Sequence, residues 1–260
     1  ALAASQISGG MNDITALPSV MWGEIKTTDN YGMYLSFQSQ MDAGHDGYAQ
    51  KARRCCTSWL WNRMNSTDAR RAWWLGNFDN ANYQASGEAI RYCQVKFKFK
   101  GDTWLGDYIY MRAEEMLLTA AEAYCQDGND GQARNYLSKL MAKRDPAYTG
   151  TTKSGNNITT LTPGSDGAST TGSLLEEIHI QRRLELWGEY GRLFDIKRLG
   201  QGFKRVATET ADNPDFDPSS LISRRDTQSP DTYAWILLLP QKELDGNPNI
   251  VQNPTGDKAN

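Results

Sequence analysis

The stretch that decides the fold runs from Leu175 to Gly200 and reads LEEIHIQRRLELWGEYGRLFDIKRLG. Its apolar residues recur at intervals of four and three positions, which is typical of one face of a helix. This stripe consists of Ile180, Leu184, Trp187, Gly191 and Phe194. Gly188 and Gly191 each weaken a helix by about 1 kcal/mol relative to alanine, so they indicate close backbone contact or a helix that ends nearby. We expect a helix that begins at Leu174 and covers neighbouring helices with its apolar stripe.

The charged side chains of the same stretch allow two interpretations. Glu185 and Glu189 lie one helical turn apart, and a pair of carboxylates is what a glycosidase needs. Basic residues surround this pair in the sequence, namely Arg182, Arg183 and Arg192. Because oppositely charged side chains three or four positions apart on a helix attract each other, we expect a structural ion-pair network with these arginines and not a catalytic pair.

Two further helical patterns precede this stretch, at residues 107–143. The first predicts a helix of about five turns, with its apolar stripe at Tyr110, Ala113, Leu117, Ala120 and Tyr124. The second has its stripe at Ala133, Tyr136, Leu137, Leu140 and Met141. Between the two patterns, Gly128 suits the end of the first helix, and Asn129 or Asp130 suits the start of the second. Together they predict a hairpin of tetratricopeptide size, about 34 residues, which needs a neighbouring helix to cover its apolar face.

The remaining segments predict loops and short strands. Residues 1–106 are loop-rich and mixed, and residues 93–100 alternate apolar and polar side chains as in a half-exposed strand. Residues 149–173 are rich in Gly, Ser, Thr and Asn, which predicts a surface loop, and Trp235–Leu239 predicts a short strand. The expected fold is mainly α with irregular loops and a few short strands, in which a tetratricopeptide-like helical hairpin packs with a C-terminal region. Its two expected parts are residues 1–106 and 107–260.

The composition excludes several classes of function. The chain has 28 basic and 31 acidic residues, a net charge of −3 and a pI of about 5.5, which leaves no electrostatic basis for binding nucleic acid. The longest apolar run, Tyr233–Leu239, is far shorter than the roughly 20 residues that a membrane helix needs. None of the four cysteines has the C-x2-C spacing of a zinc site, so we expect no metal and no cofactor.

No catalytic motif rises above background in this sequence. The histidines are His45 and His179, and no G-x-S-x-G sequence is present for a serine nucleophile. Glu114 and Glu115 are adjacent, so they point to different faces of their helix and make a poor catalytic pair. The residues alone therefore give no reason to expect an enzyme.

Four segments resemble one known family in the order that the family has them. The opening stretch is similar to the signature helix of the SusD/RagB family, E-R-R-x-E-L-x-x-E-G-x-R-x-F-D-L-x-R-W-G. It departs from that pattern at Gln181, Tyr190 and Leu199. Met111–Tyr124 resembles the family's L-R-x-A-E-x-Y-L-x-x-A-E-A helix, and Leu239–Pro254 resembles its closing P-x-x-E-x-x-x-N-P-x-x-x-Q-N-P. Val20–Ile25 resembles, more weakly, the family's E-V-I-W-E-I segment.

The resemblance implies a function as well as a fold. The family consists of outer-membrane, cell-surface lipoproteins of Bacteroidetes that capture glycans or other nutrients and act as a lid on a TonB-dependent transporter. The resemblance therefore implies two partners, an oligosaccharide or other nutrient ligand and the SusC-like TonB-dependent transporter. In the family, the segment that resembles Val20–Ile25 lies near the middle of the protein. We expect this chain to be a C-terminal half, without the N-terminal lipid anchor that would hold the whole protein at the outer membrane.

Aromatic side chains are the expected ligand contacts. They make up 10% of the chain, and their flat rings either pack in a core or stack on the apolar faces of sugar rings. By the resemblance, ligand aromatics lie between Val20–Ile25 and the D-x-R segment Asp68–Arg70, in the part expected to face the ligand. The candidate ligand-binding residues in that window are Tyr31, Tyr34, Tyr48, Trp59 and Trp61. Trp73 and Trp74 are adjacent, so on a strand at most one of them would face a ligand.

Two other functions compete with nutrient capture. A helical-repeat scaffold that mainly binds the transporter protein would expose a large apolar patch on residues 107–143. A glycoside hydrolase, which is the least favoured, needs two carboxylates about 5 to 10 Å apart in a cleft.

Overall fold

The computed structural model of the chain describes residues 1–44, 48–50, 53–75, 92–101, 104–150, 172–189, 191–199 and 238–253. Within them the chain is mainly helical with two short strands, which confirms the predicted fold class. The helices are α1 (Ala4–Ile7), α2 (Phe37–Met41), α3 (Ser58–Trp61), α4 (Ala113–Gln126), α5 (Asp130–Met141), α6 (Leu174–Glu185), α7 (Arg192–Arg198) and α8 (Gln241–Gly246). Most of the predicted loop and strand, at residues 151–171 and 235–237, lies outside the described residues, and the division at residue 106 stays a prediction.

The two strands form one antiparallel pair next to the helical hairpin. β1 (Val20–Glu24) pairs with β2 (Tyr108–Arg112), with Val20 opposite Arg112 and Glu24 opposite Tyr108. The prediction of a five-turn helix from residue 107 was therefore wrong at its start, because the aromatic and β-branched residues of β2 favour strand pairing. The helix begins only at Ala113.

The predicted hairpin of two helices is confirmed, but the buried face of its first helix, α4, differs by one position from the prediction. α4 buries Leu118, Ala121 and Cys125, one position along from the predicted stripe. α5 buries the predicted residues, except that Tyr136 is only partly buried. Gly128 has the left-handed φ of 77° that favours glycine. The Asn129 carboxamide accepts a hydrogen bond from the Gln132 N–H at 3.1 Å, which caps α5.

Helix α6 begins at Leu174 as predicted and takes part in two hydrophobic cores. The Ser173 hydroxyl caps its first turn by accepting from the Glu176 N–H at 3.1 Å. Its first half packs Leu174, Leu175 and Ile178 against α4 and α5. Its second half places Ile180 and Leu184 in a larger core built mainly from residues 2–97, which includes Trp73, Trp74 and Phe97.

Both expectations for Gly188 are confirmed. α6 ends at Glu185, and Gly188 has a φ of 72°. A Cβ atom at Gly188 would lie 2.7 Å from Cε2 of Phe97, which is closer than real side chains approach. The apolar stripe does not continue across this break, since Phe194 on α7 is 54% exposed.

Residues 92–97 correct the prediction of a half-exposed strand. They are buried on both faces, and Gln94 and Lys96 are fully buried. Pairing occurs at two isolated bridges, Cys55 with Cys93 and Trp74 with Gln94. The apolar and polar alternation is therefore real, but the polar side chains point into the interior. Lys96 reaches the Glu189 carboxylate and the Glu185 carbonyl oxygen there.

A buried ion-pair network lies where α6 ends. The Glu185 carboxylate accepts from Arg112 Nη1 at 2.6 Å and from Arg144 Nε at 2.9 Å, and Arg70 Nη1 lies 3.5 Å from it. Burial alone would raise the pKa of Glu185, but the guanidinium groups of Arg144 and Arg112 hold it well below its usual value. The Glu189 carboxylate accepts from Arg112 Nε at 2.8 Å.

The network is structural as predicted, but its expected partners were wrong. Glu185 and Glu189 pair with residues from distant segments, not with the arginines next to them in the helix. Arg182 instead binds Asp195 at 2.9 Å and Glu115 at 2.8 Å. The reason is position: Glu185 is the last residue of α6 and lies on its buried face, and Glu189 lies beyond the end of the helix, so both reach the other segments, while Arg182 lies at the edge of α6.

Arg144→Ala should lower the free energy of unfolding by about 3 to 5 kcal/mol, because it leaves the Glu185 carboxylate buried with fewer partners. Urea unfolding followed by circular dichroism would measure this. Glu24→Gln is the control, since the Glu24 side chain is 40% exposed where it pairs with Lys26, and this substitution should cost far less than Arg144→Ala. Equal effects of the two substitutions would show that the buried network contributes no special stability.

Glu122 should make the stability depend on acidity. Burial alone would raise the pKa of Glu122, but the His179 ring nitrogen 3.1 Å away and the hydrogen-bonded Arg198 guanidinium lower it from 4.5 to about 2. A carboxyl with a lowered pKa stabilises the fold above its unfolded pKa, and that contribution is lost as the pH falls toward the folded value. Chemical unfolding at several pH values should therefore show the advantage of the native chain over Glu122→Gln shrinking by about 3 kcal/mol between pH 4.5 and 2. A constant difference would contradict this.

Gly188→Ala should destabilise the chain by about 2 to 4 kcal/mol, because it adds both a left-handed backbone penalty and a clash with Phe97. Gly128→Ala is a matched control. Its φ of 77° is similar, but a Cβ atom there meets nothing within 4 Å, so it should cost only about 1 kcal/mol. Thermal and urea unfolding of both variants would separate packing from backbone strain, and equal losses would rule out the packing term.

Candidate functional site

Three aromatic side chains lie together at the surface, and we call them the aromatic platform. They are Tyr34, Tyr48 and Trp104. The Tyr34 ring lies edge-on to both others, with centroids 6.3 Å from Tyr48 and 4.9 Å from Trp104. Tyr34 is 49% exposed and Tyr48 is 51% exposed, and Trp104 is half-buried. Their rings are therefore open to a ligand while each is held by its neighbour.

Helix α2 positions both tyrosines through its buried serines. Tyr34 lies in a single 3-10 turn (Met33–Leu35) that leads directly into Ser36, the residue that caps α2. The Ser36 hydroxyl accepts from the Ser39 N–H at 3.1 Å, and the Ser39 hydroxyl accepts from the Tyr48 N–H at 3.4 Å. The Phe37 N–H donates to the Tyr108 hydroxyl at 2.9 Å, which ties α2 to β2.

Asp42, just after α2, positions the third ring. Its buried carboxylate accepts from the Phe99 N–H at 2.8 Å and from the Gly44 N–H at 2.9 Å. The carbonyl oxygen of Phe99 in turn accepts from the Asn12 side chain at 3.0 Å. The Trp104 ring packs on Phe99 with centroids 5.1 Å apart. The backbone of Phe99, whose ring packs on Trp104, is therefore held by hydrogen bonds at both its N–H group and its carbonyl oxygen.

Backbone strain occurs at the platform. Among the described residues, three non-glycine residues have positive φ, and two of them are Met33 at 42° and Trp104 at 58°. Such a conformation costs about 1 to 3 kcal/mol and persists where the surrounding structure enforces it. Met33 directly precedes Tyr34, and Trp104 is itself a platform residue. The strained backbone therefore lies at or next to two of the three platform rings.

The platform offers flat apolar faces and polar edges. The tyrosine rings can stack on an apolar surface, and their hydroxyls can donate and accept hydrogen bonds. Within the described ranges, no group of three or more His, Cys, Asp or Glu side chains is placed to hold a metal ion. The chemistry available at this surface is stacking and hydrogen bonding.

The structure brings together two of the five predicted ligand residues, Tyr34 and Tyr48. Tyr31 is half-buried in the segment that precedes the turn of Tyr34. Trp59 lies on α3, and its side chain lies outside the described part of the structure. Assignment of all five residues to ligand binding stays a prediction.

Trp61 lies in a different aromatic group. Its ring is half-buried and packs against Trp74 and Tyr92, with centroids 6.4 Å and 5.8 Å away, and against the Arg71 guanidinium at 4.6 Å. Trp73 and Trp74 are both buried in the same core, so neither ring is exposed to a ligand.

Trp104 is the residue that the sequence argument missed. It follows Asp68–Arg70, where the window implied by the resemblance ends. One signal was present: Gly101 follows the alternating run of residues 93–100, which indicates a turn, and Trp104 comes three positions after it. That signal does not say which ring Trp104 meets, because Tyr34 lies 70 positions earlier in the chain.

A second exposed aromatic surface lies on the two-stranded sheet. Trp22 is 63% exposed and packs on Tyr110 with centroids 5.1 Å apart. The Tyr110 hydroxyl donates to the Glu24 carboxylate at 2.9 Å, and Lys26 binds the same carboxylate at 2.6 Å. This pair supplies a matched control for the platform.

The carboxylates considered for hydrolysis serve other purposes here. Glu185 and Glu189 belong to the buried network. Burial alone would raise the pKa of Glu189, but the charges of Arg112 and Lys96 lower it. Glu114 is buried and accepts from the Leu2 N–H at 2.5 Å, whereas Glu115 binds Arg182, which confirms that the two point to different faces. A general acid needs a raised pKa, whereas the pKa values of Glu114, Glu185 and Glu189 are lowered.

No helix in the described part of the chain has the length and apolar character needed to span a membrane.

Comparison with known proteins identifies relatives of the chain. The family model described as "SusD family" matches residues 62–255. No curated protein matches the chain.

Several solved structures from Bacteroides vulgatus are similar to the chain. A "SusD-like carbohydrate binding protein" is 26% identical with a TM-score of 0.58, and the match covers 79% of this chain and 39% of that one. A "putative sugar binding protein" is 22% identical with a TM-score of 0.62, covering 89% and 45%. A SusD superfamily protein is 18% identical with a TM-score of 0.67, covering 99% and 51%. The last two show the fold alone, and the chain spans about half or less of the length of these relatives.

Proposed function

Because the chain belongs to the SusD family, we propose that it captures a glycan on the aromatic platform of Tyr34, Tyr48 and Trp104. The observation that carries this proposal is the pair of half-exposed tyrosine rings, packed against each other and against Trp104, with the Tyr48 backbone bonded to Ser39 of α2. Sugar rings present apolar C–H faces to such rings and hydroxyl groups to their edges. A rigid mount favours binding because less side-chain freedom is lost when the ligand arrives.

The wider role follows from the family resemblance and is part of the proposal. The chain would act at the cell surface, within a lipid-anchored protein of the outer membrane, and pass its ligand to a SusC-like TonB-dependent transporter. It would bind and release the glycan unchanged. The relative described as a carbohydrate-binding protein supports the ligand class, at 26% identity.

The two competing functions are less well supported. Residues 107–143 are all described, and their exposed large apolar side chains are Tyr110 and Met116, both at 37%. That is not the large patch expected of a hairpin that mainly binds another protein. A hydrolase would need a carboxylate pair in a cleft, whereas Glu185 and Glu189 are buried in ion pairs.

The double substitution Tyr34→Ala and Trp104→Ala should weaken glycan binding about a hundredfold or more, because central aromatic contacts contribute about 2 kcal/mol each and every 1.4 kcal/mol is a factor of ten in affinity. Retardation of the chain in native gels that contain starch, xylan, mannan, β-glucan or pectin would first identify a bound polysaccharide. Isothermal titration with oligosaccharides of the one that binds would then give the affinities. Tyr34→Phe should lose less, since it keeps the ring and removes only the hydroxyl.

Trp22→Ala is the control, because it removes an exposed tryptophan of the sheet surface and leaves the platform intact. If Trp22→Ala weakens binding and the platform variant does not, the binding site lies on the sheet. If a folded platform variant keeps its full affinity, the platform is rejected. If no polysaccharide retards the native chain, the transporter becomes the favoured partner.

A further inference from the structure

Two cysteines face each other across a short antiparallel bridge. Cys55 pairs with Cys93, and the bridge is flanked by two backbone hydrogen bonds. The Gln94 N–H donates to the Arg54 carbonyl at 2.8 Å, and the Cys56 N–H donates to the Tyr92 carbonyl at 3.1 Å. Backbone hydrogen bonds between the neighbours, and none between the backbones of the two cysteines, define a non-hydrogen-bonded pair of the ladder. In such a pair the side chains lie on the same face and the Cα atoms are about 4.5 Å apart.

This spacing is one that a disulfide can span. Disulfide-bonded cysteines have Cα atoms about 4.4 to 6.8 Å apart, with Cβ vectors that point toward each other. Both side chains belong to one small hydrophobic cluster, formed by Ala43, Ala49, Leu75, Cys93 and Val95 with Cys55 against it. The structure carries all four cysteines as thiols.

The neighbouring Cys56 does not share this arrangement. Successive residues of an extended segment point to opposite faces, and Cys56 is buried in the large core with Leu60 and Trp73. The thiols of Cys56 and Cys93 also differ in the direction of their pKa shifts. Burial raises the pKa of the Cys56 thiol well above its usual value, whereas a hydrogen bond from Cys55 lowers the pKa of Cys93. The position of Cys55 therefore marks it, and not Cys56, as the partner of Cys93.

We propose that Cys55 and Cys93 form a disulfide bond by exchange with an external disulfide. The more accessible Cys55 sulfur attacks one sulfur of the external disulfide, whose S–S bond breaks, and the released thiolate takes up the Cys55 proton. The buried Cys93 sulfur then attacks the Cys55 sulfur and displaces the second external thiolate, which takes up the Cys93 proton. Two electrons pass from the cysteine pair to the external disulfide, which is reduced to two thiols.

The bond would stabilise the cluster that packs next to Tyr48 of the platform. The cluster that holds the pair includes Ala49, which follows Tyr48 in the same 3-10 turn (Tyr48–Gln50). Closing the loop between residues 55 and 93 also removes freedom from the unfolded chain. This inference does not rest on glycan binding, since the geometry of the pair is independent of any ligand.

Peptide mapping after equilibration with oxidised glutathione tests the proposal. The native chain is alkylated, digested with trypsin without reduction, and analysed by mass spectrometry. The expected product joins peptide 55–63 (CCTSWLWNR) to peptide 92–96 (YCQVK). Cys56→Ser should keep this product, and Cys55→Ser should abolish it. Oxidation of the native chain should also raise its melting temperature by roughly 10 °C.

Three results would overturn the proposal. The first is a folded native chain in which all four cysteines remain alkylated after oxidation. The second is a cross-linked product that survives Cys55→Ser, which would assign the bond to Cys56. The third is a bond between two chains, seen as a dimer on a non-reducing gel. Since the native chain alone gives a definite answer, a variant that fails to fold does not block the test.

Discussion

One buried carboxylate, that of Glu185, holds together segments that lie far apart in the sequence. Arg70, Arg112 and Arg144 approach it from a 3-10 turn (Ala69–Trp73), from β2 and from the end of the hairpin. A charge in the interior costs several kcal/mol unless it is fully paired. Any arrangement that displaces one of these segments leaves a carboxylate or a guanidinium unpaired. The network therefore selects one way of joining the hairpin, the sheet and the large core.

Local signals in the sequence predicted the local structure well. The start of α5 next to Asn129, the start of α6 at Leu174 and the apolar face of α5 depend on residues only a few positions apart, and they were predicted correctly. Features that depend on distant partners were missed. The strand at Tyr108–Arg112 exists because β1 lies beside it. Gln94 and Lys96 are buried because distant segments accept their hydrogen bonds, at the Met41 carbonyl for Gln94 and at the Glu185 carbonyl for Lys96. Spacing in one sequence carries no information about such partners.

The same limit applies to the aromatic platform. Tyr34 and Tyr48 fell within the window set by the family resemblance, but nothing in that window distinguishes them from Trp61, whose ring packs against Trp74. Trp104 joins them through a chain of contacts that begins with the Asp42 carboxylate and crosses 57 positions to the backbone of Phe99. A short helix of buried polar residues is thus the framework of the platform. That role could not be read from the composition of α2.

Helix α6 belongs to two cores, and this shared membership couples their motions. Leu174 and Ile178 anchor the helical hairpin, while Ile180 and Leu184 anchor the core that adjoins the platform. Opening either core requires this one helix to move, and the Glu185 network opposes that movement. The backbone amides of α6 should therefore exchange with solvent only when the whole chain unfolds. The rigidity of the core next to the platform is in this way maintained by residues that do not belong to the platform.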